Sequence, residues 1–391
     1  MTAGGNVTQS KAITATLTTT VNAGASDIIL NNINNDFSTV ILTGNNATIT
    51  DTNALNFGTT TIANDLTANA SGNITQSNAL SITGLASFNA GSGDVILNNT
   101  NNDFSAIALT GNNATITDKN ALVLGATTIT NNLSLFADGA VTQTNPIIAN
   151  GLALLGNGSF NLDNAGNTIN TIAAKIDGDL KFVNSQTLTV GIVNPDGIEK
   201  ANSVFLQAIT GNIVLDQSIT ALNDITLVAD SNFVNNVGTG ALITTTGRFL
   251  VYATSPDTNV NGWSVLGGSQ QFNTTYPQVA LFTGNGFLYK VGAPFVPGLP
   301  NLLTTEPVTF TFNFNDRQWR DLQIGSEDLV ITEPLLCING EQNTTSSSQQ
   351  EVRDFELPLL ANNAPYGSQP TRNFVTLQWQ LGEFPTCPSS D

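Results

Sequence analysis

Short runs of Thr, Val and Ile, each closed by Asn, Gly or Asp, recur along the first part of the chain. Asn6-Val7-Thr8-Gln9-Ser10, Ile28-Ile29-Leu30-Asn31-Asn32 and Thr48-Ile49-Thr50-Asp51-Thr52 follow one another at intervals of about twenty residues. Polar and apolar residues alternate within them, with Thr48 and Thr50 outward and Ile49 inward, which is the period of a half-buried strand. β-Branched residues suit the strands, and Asn, Gly and Asp suit the turns between them. Strands of about four residues with a turn every six to nine predict the coils of a parallel β-helix.

A longer period lies over this one. Gly5-Asn6-Val7-Thr8-Gln9-Ser10 returns as Gly72-Asn73-Ile74-Thr75-Gln76-Ser77 and as Gly139-Ala140-Val141-Thr142-Gln143-Thr144, with the same 67-residue offset each time. Asp27 to Gly58 matches Asp94 to Gly125 without a gap, identical at 24 of 32 positions. Such duplication marks a solenoid whose units cannot bury their apolar faces alone and must stack. The expected array covers residues 1–246, in 67-residue units of about three coils each. Its turn asparagines suit a stack, because Asn tolerates left-handed backbone and its amide can bond the equivalent residue one coil away. A Greek-key sandwich would give hairpin signals about every 8–12 residues and no such duplication.

Beyond Thr246 the pattern changes. Gly247-Arg248-Phe249-Leu250-Val251-Tyr252 opens an aromatic stretch through Trp263, Phe272, Tyr276, Phe282, Phe287 and Tyr289, so residues 247–290 are expected to close the solenoid end. Residues 291–305, with Pro294, Pro297 and Pro300, predict a stiff linker. Residues 306–391 predict a small β-rich module: Thr309 to Phe314 alternates strictly, Phe374 to Trp379 returns to strand, and a mobile insert is expected near 341–350. The fold class is therefore all-β, a parallel β-helix solenoid over about residues 1–290 with a small carboxy-terminal module.

Composition narrows the chemistry. Among 391 residues 10% are charged, against about a quarter in an average globular chain, and there is no histidine. Mechanisms that need imidazole as base or ligand are thus excluded. The formal net charge of −18 makes nucleic acid and anionic membranes poor partners. No run of eighteen apolar residues predicts a membrane-inserted helix. Met1 to Gly5 has neither the charged nor the apolar region of a secretory signal.

Carboxylates remain as candidate catalytic groups. Asp177 and Asp179, in one Ile-Asp-Gly-Asp-Leu turn with Lys175 and Lys181 nearby, are the best placed for a glycosidase-like pair, although an acid pair around a glycine is also an ordinary solvated turn. Asp36 and Asp103 recur, but the Gly-Gly-x-Gly-x-Asp nonapeptide of calcium-binding rolls is absent, so no metal or other cofactor is expected. Thr48-Ile49-Thr50 and Thr115-Ile116-Thr117 occur once per 67-residue unit, too sparse for an ice-binding face. Trp263, Tyr276 and Tyr289 are candidate glycan-contact aromatics, with a purely structural cap as the competing reading.

An Asn/Gly/Thr-rich array running into Gly247-Arg248-Phe249-Leu250-Val251-Tyr252, a Pro-containing turn, Gly262 and an aromatic segment ending at Tyr276 resembles the carboxy-terminal region of filamentous-haemagglutinin-like exoproteins of bacterial two-partner secretion, the cyanobacterial ones especially. The resemblance covers about residues 1–290. It implies a right-handed β-helix, a non-enzymatic adhesin or structural stalk, and an extracellular or outer-surface location. It also implies an outer-membrane transporter of the two-partner type as export partner, with cell-surface glycans or receptors of host or neighbouring cells as ligands. The chain departs from complete members in lacking a signal and a secretion domain, so it is expected to be a distal part of a larger exoprotein or a remnant. The competing function is a carbohydrate-active β-helix enzyme using the carboxylate pair. If the chain is exported, an oxidising environment favours a disulfide between Cys337 and Cys387, the only two cysteines, across the mobile insert. Two unrelated thiols are the alternative in a reducing compartment.

Overall fold

The computed structural model describes residues 1–292 and, beyond them, strands Val308–Phe314, Arg317–Ile324, Leu329–Ile331, Val352–Glu356 and Phe374–Gln378. The chain divides into two units, Met1–Ala293 and Pro294–Asp391.

The first unit is a parallel β-solenoid of about fourteen turns. One unbroken ladder of parallel pairings threads fourteen strands, from Val7–Thr8 to Gly286–Tyr289. Its early rungs are Val7, Ile28, Ala47, Leu66 and Ala86, so a coil takes about twenty residues. Strands Ala47–Asp51, Leu55–Phe57 and Thr60–Ile62 form the three sides of one coil. The next coil lays Leu66, Ile74 and Leu80 over Ala47, Leu55 and Thr60. Alternation does the sorting: in Ala47–Asp51 the first, third and fifth residues are buried while Thr48 and Thr50 face outward.

The 67-residue unit is not a whole number of coils. Three coils carry the chain from Ile28 to Ala86, and Val95, the copy of Ile28, comes later, on the next side. Ile28 stacks between Val7 and Ala47, whereas Val95 stacks between Ile74 and Ala114. A unit is therefore three coils plus one further side, and consecutive copies face different directions. The long strands make this offset. Asp36–Gly44 runs around a corner, pairing Val40 with Phe57 of one strand and Thr43 with Thr61 of the next.

The main core is an apolar column from Val7 to Tyr289, with the Phe57, Phe88 and Phe104 rings packed edge to face at centroid separations of 6.0 and 6.1 Å, and Val228, Tyr252 and Leu288 form a small second cluster. Polar ladders hold the corners. The Asp27 carboxylate accepts from Asn45 Nδ2 at 2.9 Å and from Asn46 Nδ2 at 3.0 Å, and Asp94 repeats this with Asn112 and Asn113. Asn64 Nδ2 donates to Asn45 Oδ1 one coil below at 2.6 Å, which is the amide stacking anticipated from the turn composition.

After Leu180 the coils lengthen: Leu180 pairs with Val204, Val204 with Ile225, and Ile225 with Phe249. Past Phe249–Ala253 the chain leaves the stack for a four-residue helix, Trp263–Leu266, and strand Ser269–Gln271. It then returns as Gly286–Tyr289, inserted between the two strands, with Gly286 opposite Leu250 on one side and Ser269 on the other. Only glycine fits there, since a Cβ on Gly286 would lie 2.4 Å from the Phe282 ring and 2.5 Å from Ser269 O.

In the second unit Val308–Phe314 pairs antiparallel with Arg317–Ile324, which pairs with Leu329–Ile331, and Val352–Glu356 pairs antiparallel with Phe374–Gln378. The expected insert near 341–350 and both cysteines, Cys337 and Cys387, lie outside the described residues.

Candidate functional site

The two candidate acids sit on the outside of the stack. Asp177 ends one side of a coil and its carboxylate pairs with Lys200 of the next coil. Asp179 accepts from Asn202 Nδ2 at 2.6 Å, again one coil away. Lys175 pairs with Glu199 at 2.9 Å, holding the Glu199 carboxyl below its ordinary range, and Lys181 pairs with Asp163 at 2.6 Å. Each group expected to assist catalysis thus bonds across the ladder. An open depression of about 330 Å³ nearby is lined by Leu155, Lys175, Asn194, Pro195, Asp196 and Glu199, and neither Asp177 nor Asp179 reaches it.

The three candidate glycan-contact aromatics do not form one platform. Tyr289 is fully buried, stacked 6.1 Å from Phe287 and tilted against Phe272 at 5.5 Å, and offers no face to a ligand. Burial pushes its phenol well above the ordinary value. Trp263 and Tyr276 are each 41% exposed. Trp263 Nε1 donates to Gly268 O at 2.8 Å, which fixes the indole over its own turn. Tyr276 stands against Phe205 at 5.5 Å and edge-on to Tyr252 at 5.4 Å. It borders a depression of about 150 Å³ whose lining includes Gln207, Tyr252, Thr275 and Lys290. Tyr252 OH donates to Gln278 O at 2.9 Å, tying the loop that carries Tyr276 to the last coils. Of the three, Tyr276 alone combines an exposed ring with neighbouring polar groups. Sequence reading missed its neighbours Phe205 and Gln207, because they come from an earlier coil with no motif of their own.

Two further sets of polar groups lie inside the stack. The glutamine of the recurring Gly-Asn-Val-Thr-Gln-Ser motif clamps a buried asparagine. Asn102, with no exposed surface, donates through Nδ2 to Gln76 Oε1 at 2.8 Å and to Leu97 O at 3.1 Å, and accepts from Gln76 Nε2 at 2.8 Å and Leu80 N at 3.0 Å. Gln9 with Asn35 and Gln143 with Asn167 repeat the clamp. The second set closes a strand of each unit. Asp118 accepts from Phe104 N at 2.8 Å, and Asp51 accepts from Phe37 N at 3.2 Å. In the third unit the residue is Asn184, which accepts from Ile169 N at 2.9 Å and donates to Ile169 O at 2.9 Å. Desolvation raises both carboxyls above their ordinary value, and nearby Asp36 and Asp103 add to the rise. Asp51 Oδ2 is buried with no hydrogen-bond partner.

Among the described residues no three acidic or cysteine side chains converge as a metal would require, and no helix is long and apolar enough to cross a membrane.

Parallel coils, a continuous core and duplicated corner ladders define a repeat protein of the β-solenoid class. Residues 1–43, 44–110 and 111–175 are similar to a family described as Repeats of unknown function (DUF5649). No curated protein and no solved structure matches the chain significantly.

Proposed function

We propose that the chain is a non-enzymatic, surface-exposed segment of an exported exoprotein, acting as an adhesive or structural stalk after passage through an outer-membrane transporter of the two-partner type. The observation that carries this reading is how the polar groups are used. The corner groups Asp27, Asn45, Asn64 and Asp94 and the candidate acids and lysines from Lys175 to Lys181 bond to the neighbouring coil, which serves stiffness and leaves few groups for chemistry. The resemblance of Gly247 to Tyr252 and the following aromatic segment supports the export half of the reading. Surface glycans are the proposed ligands, with Tyr276 as contact ring and Gln207 and Thr275 as polar neighbours.

The test is binding without turnover. The purified chain is incubated with immobilised bacterial and host polysaccharides, and both retention and release of reducing sugar are measured. Retention that falls at least about tenfold in Tyr276→Ala, with no sugar released, is the expected result. Sugar release that disappears in Asp177→Asn or Asp179→Asn would overturn it in favour of a carbohydrate-active enzyme. Export is tested by fusing the chain behind the signal and secretion domain of a two-partner exoprotein and expressing it with the matching transporter, where recovery on the cell surface is expected and retention inside overturns it.

A further inference from the structure

The first coil differs from its copies at one position where the copies have no freedom. Strand Thr14–Asn22 corresponds, one 67-residue unit on, to the strand Leu80–Asn89, and again to Ile147–Gly156. Its Leu17 stands where those strands have Gly84 and Gly151. Gly84 is pressed by the backbone of the turn in the coil before it, and Gly151 by the side chains of Asn132 and Val193. A Cβ on Gly84 would lie 2.3 Å from Asp65 Oδ1 and 2.7 Å from Asn64 O, and one on Gly151 would lie 2.4 Å from Asn132 Oδ1. Real Cβ atoms do not approach backbone so closely, so a coil stacked on the Asn64-Asp65 turn requires glycine at that point.

The rest of the strand is built to accept such a coil. In the second unit Thr60–Ile62 pairs with Leu80–Ile82, and Leu66–Asn69 with Ala86–Asn89. At the first coil Met1 to Ala3 take the place that Ala68 to Ala70 hold in the next unit, with Thr2 bridged to Asn22. Ile13 and Ala15 still point toward the core column, as Leu80 and Ile82 do. Between them and Asn22, Leu17 projects with 79% of its surface exposed. Charge guards this edge only lightly, because residues 1–26 carry one charged side chain, Lys11, and no Asp or Glu, so protection against edge pairing falls mainly to shape.

We infer that Leu17 is a stop residue: it closes an edge otherwise formed to accept another coil of this same repeat. The excluded partner is a Thr-rich coil with the Asn-Asp turn of Asn64 and Asp65, whichever chain segment offers it.

The test grafts residues 44–67 directly before Met1, which continues the repeat in register, and follows the graft by hydrogen exchange with mass spectrometry. With Leu17 present, the grafted amides exchange as in an unfolded peptide. With Leu17→Gly, they slow by about 100-fold or more as the coil docks. Leu17→Ala behaves like Leu17, because any Cβ meets the turn. Protection with Leu17 or with Leu17→Ala overturns the inference, as does exchange that stays fast with Leu17→Gly. Circular dichroism and protection of Ala114–Asp118 confirm in every variant that the solenoid itself is folded.

Discussion

The duplicated coils, from Val7 to Ile176, and the later coils, from Leu180 to Tyr289, share one ladder but are locked differently. The first two units repeat the same inner devices, a Gln-Asn clamp, a buried acid on a backbone N–H and an Asp that gathers two asparagines, and the third keeps the clamp with Asn184 in place of the acid. In the second region the clamp does not recur. The buried amide of Asn235 instead accepts from Val237 N and Gly238 N in its own turn and donates to Gly238 O and to Asn261 O, Lys290 ties the inserted strand to Asp230, and aromatic rings fill the end of the column. Parallel pairing and inward alternation thus suffice to make the solenoid. The polar devices determine where each coil turns, and there is more than one way to do that.

The largest effects should come where both regions rely on the same column. Phe104→Ala and Phe287→Ala should each cost about 3–5 kcal/mol in urea unfolding, since both rings are fully buried. A much smaller cost for Phe287→Ala would mean that the closing segment is not part of the cooperative core. Next comes the clamp. Asn102→Ala strands Leu80 N inside the stack and removes both bonds to Gln76 and the one to Leu97 O, at about 2–3 kcal/mol, with hydrogen exchange rising first at Leu80. Asn235→Ala should disturb its own turn and the Asn261 segment that it bonds, and leave the earlier coils protected.

The buried acids give a pH test. Asp51 and Asp118 have folded values raised above the ordinary 3.8, so ionisation opposes folding. Stability should therefore rise as pH falls from neutrality through the raised values toward 3.8. Below that, Asp94 and Asp103, whose values are lowered by amide bonds and by Lys119, become protonated and stability is lost. The melting temperature should thus peak on the acid side of neutrality. Asp51→Asn with Asp118→Asn, which copies Asn184, should flatten the neutral limb and raise melting at pH 7 by about 2–4 °C per site. A profile unchanged by both substitutions would show that the carboxyls are solvated. The smallest effect belongs to the outer ion pairs, where Asp177→Asn should shift stability by about 0–1 kcal/mol, within the scatter of a surface salt bridge.

Much of this architecture was legible in the residues. The 67-residue duplication and the Thr/Ile alternation lead to parallel coils without further help, and Asn-rich corners lead to amide ladders. The offset between copies was hidden because Asp36–Gly44 turns its corner in mid-strand, where no Gly or Pro marks a bend. Tyr289 was misread as a contact ring, although Gly-Phe-Leu-Tyr is apolar throughout, which is the pattern of a strand covered on both faces. Asp51 and Asp118 read as turn residues, although their replacement by neutral Asn184 in the third unit is the signature of a desolvated site. Gln76 served only to find the repeat, because a glutamine beside a turn gives no sign that it reaches a buried amide.

The offset also governs how the surface can be counted by anything that binds it. Copies of one motif climb the rod by roughly 16 Å per unit and turn by about one side of the cross-section, like treads on a spiral stair. A ligand with two rigid arms on one side would meet the motif on a single tread. Avidity therefore favours flexible or branched partners that can wrap the rod, and rigid lattices gain little from its repetition.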